Sequence, residues 1–168
     1  MSKKMIWVAL GCCLTTAAMP AWSQSARKPG LWEITSTRTW QKSPFPPNTP
    51  TGADAPGGGP HTLQVCLTQE MIDKYGAALP QSRDCRVANL VKTPGSMKAD
   101  WICSGHLNGK GTLESTETEP DHTTGKVHFV GTMLMGQESK PVELTVDSTG
   151  VFKSSDCGTV KPYPMPPE

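Results

Sequence analysis

The chain has 168 residues, and its 16 Lys plus Arg stand against 15 Asp plus Glu, a formal charge of +1. So even a balance offers no electrostatic platform for nucleic acid or for an anionic membrane surface. The length suits one domain large enough to build its own core.

The first element is an export signal. Lys3 and Lys4 precede an apolar run from Met5 to Met19, and Pro20-Ala21-Trp22-Ser23-Gln24 supplies a small-residue cleavage site. The run is too short, and too interrupted by Gly, Thr and Pro, to span a bilayer, so cleavage after residues 1–23 is expected to leave no transmembrane segment. A lipoprotein reading at Leu10-Gly11-Cys12 would leave an apolar stretch at the short limit for a signal. Cleavage removes two lysines and no acid, so residues 24–168 carry 14 basic and 15 acidic side chains, a formal charge of −1. Export to the periplasm also sets the cysteine chemistry. Cys66, Cys85, Cys103 and Cys157 would fold under oxidising conditions and form two disulfides.

Residues 24–168 read as a single β-rich domain. Lys28-Pro29-Gly30 is a turn signal, and the β-branched and aromatic run after it places Trp32, Ile34 and Trp40 on one face of a first strand. Pro and Gly then dominate residues 43–60, a density that neither helix nor ladder tolerates, so this segment is expected to be a long loop. His61 to Cys66 makes a short strand. Thr68 stands where a helix N-cap belongs, Glu70 suits the first turn, and Met71, Ile72 and Tyr75 form an apolar stripe that Gly76 or Pro80 ends. So short a helix is held by packing against the sheet.

From Cys85 onward, strands alternate with expected turns at Pro94-Gly95, Asn108-Gly109, Asp121 to Gly125, Met135-Gly136 and Ser148 to Gly150. With no helical crossovers between them, the pairing is antiparallel. Val142, Leu144 and Val146 alternate with Glu143, Thr145 and Asp147, giving that strand one buried and one wet face.

The Pro94-Gly95 hairpin fixes a register. A plain two-residue loop pairs residues whose numbers sum to 189 and leaves Val87 and Val91 on the opposite face from Ala99 and Trp101. A three-residue loop or a bulge gives a sum of 188, returns Val87 and Val91 to the face of Trp101, and sets Cys85 opposite Cys103. Four cysteines admit three connectivities, and the hypothesis that follows is Cys85 with Cys103 and Cys66 with Cys157.

A search for reactive groups yields little. There is no Gly-x-Ser-x-Gly elbow, no phosphate-cradling loop and no Cys-x-x-Cys. Ser104-Gly105-His106 reads as turn-solvating polar residues. His61, His106, His122 and His128 with Met133 and Met135 are ligand types for copper or zinc, but the methionines share a face with Val127 and Phe129 and read as core filler, while His128 points to the other face. Glu114, Glu117 and Glu119 read as solubilising charges on an outer strand. Trp32, Trp40 and Trp101 read as core, not as a sugar platform.

The opening Lys28-Pro29-Gly30-Leu31-Trp32-Glu33, the cysteine before a short helix, Trp101-x-Cys103 followed by Gly105, and Cys157 beside Gly158 together resemble domain-of-unknown-function family 3617, small exported bacterial proteins. The resemblance runs from about Lys28 to Gly158, with a longer Pro/Gly loop and a reversed Gly and Cys order at the end. It implies an exported β-rich protein with paired cysteines and supplies no catalytic residue.

The expected fold is mainly β: a curved antiparallel meander sheet or partly open β-barrel of about seven strands, with one short helix, stapled by disulfides. The expected function is that of a non-enzymatic periplasmic monomer, without cofactor, that binds a small hydrophobic ligand on the concave face. The alternatives are a protein-binding module using the loop at 43–60 and the Pro-rich tail at 161–168, or a copper or zinc binder. Whether the inner face of the sheet is full or hollow decides among them.

Overall fold

A computed structural model describes residues 27–51, 56 and 58–166; the expected signal at residues 1–23, part of the Pro/Gly loop and the last two residues lie outside the described set. Seven strands run in chain order: β1 (Gly30–Lys42), β2 (Pro60–Leu67), β3 (Cys85–Thr93), β4 (Ser96–Cys103), β5 (Leu107–Glu119), β6 (His122–Met135) and β7 (Glu138–Ser154), with one helix, α1 (Gln69–Tyr75), between β2 and β3. They form a single open sheet in the order β2-β1-β7-β6-β5-β4-β3, and every neighbouring pair is antiparallel. Strands β3 to β7 are the expected meander. What the meander leaves out is the closing step, in which β7 pairs with β1 along most of its length, so the N-terminal hairpin extends the sheet instead of capping it.

The path from β2 to β3 carries the chain from one edge of the sheet to the other. A flat seven-stranded sheet would put those edges some 30 Å apart, given about 4.8 Å per strand. The sheet instead curls until residues near β1 reach β5. Lys28 Nζ meets Asp121 Oδ1 at 2.6 Å in the turn between β5 and β6, and Arg27 Nη2 donates to Ser115 Oγ of β5 at 3.1 Å. Glycines also permit close contact between β5 and β6: Gly109 and Gly131 are register partners, and a Cβ on Gly131 would collide with the Asn108 carbonyl.

This corrects the turn assignments at Asn108-Gly109 and at Ser148 to Gly150. Both pairs lie inside strands, β5 and β7, because these glycines serve contact between strands and not chain reversal. The turn after β4 falls at residues 104–106, and β6 begins at His122, so Gly125 is also a strand residue.

Helix α1 forms as its sequence dictates. Thr68 Oγ1 accepts from Met71 N at 3.1 Å, Gly76 closes the helix at φ 79°, and Met71, Ile72 and Tyr75 are buried. The helix packs on the concave side, where a Cβ on Gly76 would lie 3.6 Å from Met97 Cβ of β4, and Lys92 Nζ donates to the Asp73 carbonyl. The core is the same concave face: Trp32, Phe129, Met71, Leu113 and Val142 are at most 2 % exposed.

The β3–β4 hairpin solves its register in two parts. Next to the turn, Thr93 pairs with Ser96 and Val91 with Lys98, the sum of a two-residue loop with Gly95 at φ 73°. Between Ala88 and Val91 a bulge sets Asn89 and Leu90 against Ala99 alone, and beyond it Val87 pairs with Trp101 and Cys85 with Cys103. Asn89 takes the left-handed conformation at φ 51° and its amide donates to Asp100 Oδ2 at 2.6 Å. Val91 therefore departs from the expectation. It lies on the turn side of the bulge, faces outward at 61 % exposure, and Leu90 packs on the core in its stead.

Candidate functional site

Cross-strand register sorts the concave face into rows. One row joins Val87, Trp101, Gly111, Phe129, Leu144 and Trp40, with Trp101 and Phe129 edge to face at a centroid distance of 5.6 Å. Two rows away along the strands, Met97, Ser115, Gly125, Ser148, Ser36 and His61 lie side by side across six strands. Between them run Ala99, Leu113, Val127, Val146 and Arg38. Four successive positions holding only Ser or Gly cannot fill the interior of a curled sheet. A cavity of about 490 Å³ results, with Trp32, Val65, Leu113 and Leu144 among its buried walls.

Three segments bound the cavity besides the strands. Residues 77–81 pass along it after α1, with Ala77 and Leu79 buried. Tyr163 of the tail lines it too and donates from its hydroxyl to the Leu79 carbonyl at 2.9 Å, while Gln81 Nε2 donates to the Pro164 carbonyl at 3.1 Å. Burial drives the Tyr163 phenol upward from its ordinary pKa, against a smaller lowering by its hydrogen bond with Gln81. Phe45 of the Pro/Gly loop also lines the cavity, packed edge to face on Trp40 at 5.7 Å, and Trp40 Nε1 donates to the Pro56 carbonyl at 3.0 Å. Loop and tail are thus both engaged with the chain's own cavity.

One end of the cavity holds a buried ion pair. Arg27 Nε lies 3.7 Å from Glu117 Oε1, with the two side chains 4 % and 8 % exposed. The guanidinium also sits over the Trp32 ring at 5.8 Å, yet its Nε has no hydrogen-bond partner. Burial holds the Arg27 pKa below its ordinary value, partly offset by the Glu117 charge. This overturns the reading of Glu117 as a solubilising group. β5 is an interior strand between β4 and β6, and Glu117 lies in its inward set with Ser115 and Leu113. Glu114 faces outward, bonded to Lys98 Nζ at 3.0 Å, and Glu119 pairs with His122 at 3.3 Å.

The four cysteines come together in pairs away from the cavity. Cys85 and Cys103 are joined across the β3–β4 ladder with Cα atoms 4.0 Å apart, and Cys66 is joined to Cys157 with Cα atoms 5.5 Å apart. The second bond ties the segment after β7 to the free edge of β2, where Tyr163 N donates to the Cys66 carbonyl at 2.8 Å and covers part of that edge. The histidines are dispersed: His61 on the concave face, His106 in the turn after β4, His122 at the start of β6, and His128 on the convex face 3.4 Å from Thr145 Oγ1. Met133 lines the cavity and packs on the core. Among the described residues no group of three or more His, Cys, Asp or Glu gathers as a metal site, and no helix is long and apolar enough to cross a membrane.

Fold and site define a class: a curled, open, disulfide-stapled β-sheet enclosing a cavity on its concave side. The chain belongs to the protein family of unknown function DUF3617, which matches residues 27–157. No curated protein and no solved structure matches it.

Proposed function

We propose that the protein is exported to the periplasm and there binds a small hydrophobic ligand in the cavity, without catalysing a reaction. The observation that carries this reading is the hollow concave face itself: about 490 Å³, within the range of about 300–1,000 Å³ that ligand sites occupy, with mostly apolar walls. Apolar surface moved from water onto such walls gains roughly 25 cal/mol per Å². The small-residue row leaves the room, and Trp32, Val65 and Leu113 supply a buried wall behind it. Arg27, the buried cation of the lining, is neutralised by Glu117, which argues for a binding role over an acid-base one. Two disulfides suit an oxidising compartment. The protein-binding alternative is the less favoured, since Phe45 and Tyr163, the large side chains of its two segments, face the cavity.

The test is fluorescence titration with N-phenyl-1-naphthylamine, followed by displacement with dodecanoate. Binding with displacement is expected for the natural sequence. Ser148→Trp, which fills the row where the interior is hollow, should abolish both while the thermal midpoint stays within a few degrees. Failure of the natural sequence to take up the probe or dodecanoate contradicts the proposal.

A further inference from the structure

The ionisable side chains around the cavity are not equivalent. Arg27 is held by Glu117 and Ser115, while Glu114 and Lys126 face outward and pair with Lys98 and, at 3.7 Å, with Asp147. Arg38 differs. It belongs to the inward-facing set of β1, in the row of Val146, Val127 and Leu113, and among the described residues no acid forms an ion pair with it. Its guanidinium lies 5.8 Å from the Trp40 ring and is exposed to solvent. Beside it in the neighbouring row stand the half-buried hydroxyls of Ser36 and Ser148, whereas Trp32, Val65 and Leu67 toward the far end of the hairpin are at most 3 % exposed. The inner surface thus grades from a cationic, hydroxyl-bearing mouth to a closed apolar interior.

We propose that the ligand is a single-chain amphiphilic anion, whose head group sits at the mouth against the Arg38 guanidinium and whose hydrocarbon tail lies along the floor. This inference rests on the cavity reading above and adds the polarity and direction of the occupant. A cation on an apolar wall finds its counterion in the ligand, and charge-assisted hydrogen bonds to carboxylate are the strong kind. Trp40 backs the guanidinium, its ring centroid 5.8 Å away. The opposite orientation is disfavoured. An anionic head at Arg27 would meet the Glu117 carboxylate at the same point, a like-charge contact in a poorly solvated place.

The experiment compares three twelve-carbon probes, dodecanoate, dodecanol and dodecyltrimethylammonium, on the natural sequence, Arg38→Gln and Arg38→Lys. Dodecanoate should bind the natural sequence tightest, lose about tenfold in affinity in Arg38→Gln and recover in Arg38→Lys. Its affinity should fall with added salt, and dodecanol should respond neither to salt nor to either substitution. Equal affinity for the three heads, or an equal loss of dodecanol and dodecanoate in Arg38→Gln, overturns the inference and leaves the cavity reading intact. Binding of none of the three overturns both.

Discussion

Arg27 and Glu117 show how one residue pair sets both stability and the polarity of the cavity. Each is taken out of water, and each is tolerable only beside the other. Glu117→Gln should therefore cost about 3–5 kcal/mol by urea denaturation, because Arg27 would keep its charge in a nearly dry place. Replacing both together, Arg27→Met with Glu117→Leu, should restore most of that loss. A cost below about 1 kcal/mol for the single substitution would contradict the pairing. Tyr163 supplies the pH dependence. Its folded pKa is raised by burial, so the proton is held more tightly in the folded state, and the stability it contributes is complete below about pH 10 and is lost as pH rises beyond. Stability measured by urea denaturation should therefore fall above about pH 10, and that fall should be smaller in Tyr163→Phe. The sequence does not disclose Glu117's direction, because Glu114, Glu117 and Glu119 straddle both parities and only the register with Thr123 decides.

At the scale of elements, the bulge at Asn89 and Leu90 is the device on which the β3–β4 hairpin turns. Hydrophobic pattern and cysteine spacing together require a change of register somewhere between Cys85 and the Pro94-Gly95 turn, and that much is legible without coordinates. Its position is not, which is why Val91 faces out. Deleting Asn89 removes the extra residue, so one continuous register would turn Cys85 to the convex face while Cys103 stays on the concave one. Alkylation and mass spectrometry of that variant should find both thiols free; an intact bond would show that the bulge does not set the register. Asn89→Val keeps the count but forces a β-branched residue to φ 51°, a cost of about 1–2 kcal/mol before loss of the bond to Asp100. Helix α1 was readable to its ends from Thr68 and Gly76. Gly109 and Gly150 were not, since a glycine reads alike whether it serves a turn or a close strand contact, and only the strand partners distinguish the two.

For the whole molecule, closure depends on joining segments far apart in the chain. The Cys66–Cys157 bond spans 91 residues and the Cys85–Cys103 bond 18. In the chain-entropy account these correspond to about 4–5 and about 3 kcal/mol, so Cys66→Ser with Cys157→Ser should lower the thermal midpoint more than Cys85→Ser with Cys103→Ser. The reverse order would mean that the tail and the β2 edge do not hold the curled sheet. Strand content and antiparallel pairing follow from the sequence because they are local. The β1–β7 pairing and the hollow row do not, since Ser36, Ser115, Gly125 and Ser148 are unremarkable one at a time and empty the interior only when register lines them up. The most direct test of that hollow is a nitrogen-15 NMR titration with dodecanoate. The account predicts side-chain and amide shifts that follow the inward set, Ser36, Arg38, Val127, Val146 and Ser148, while Thr145, Val130 and Lys110 on the convex face stay still. Shifts concentrated on the convex face, or none at saturating ligand, would contradict it.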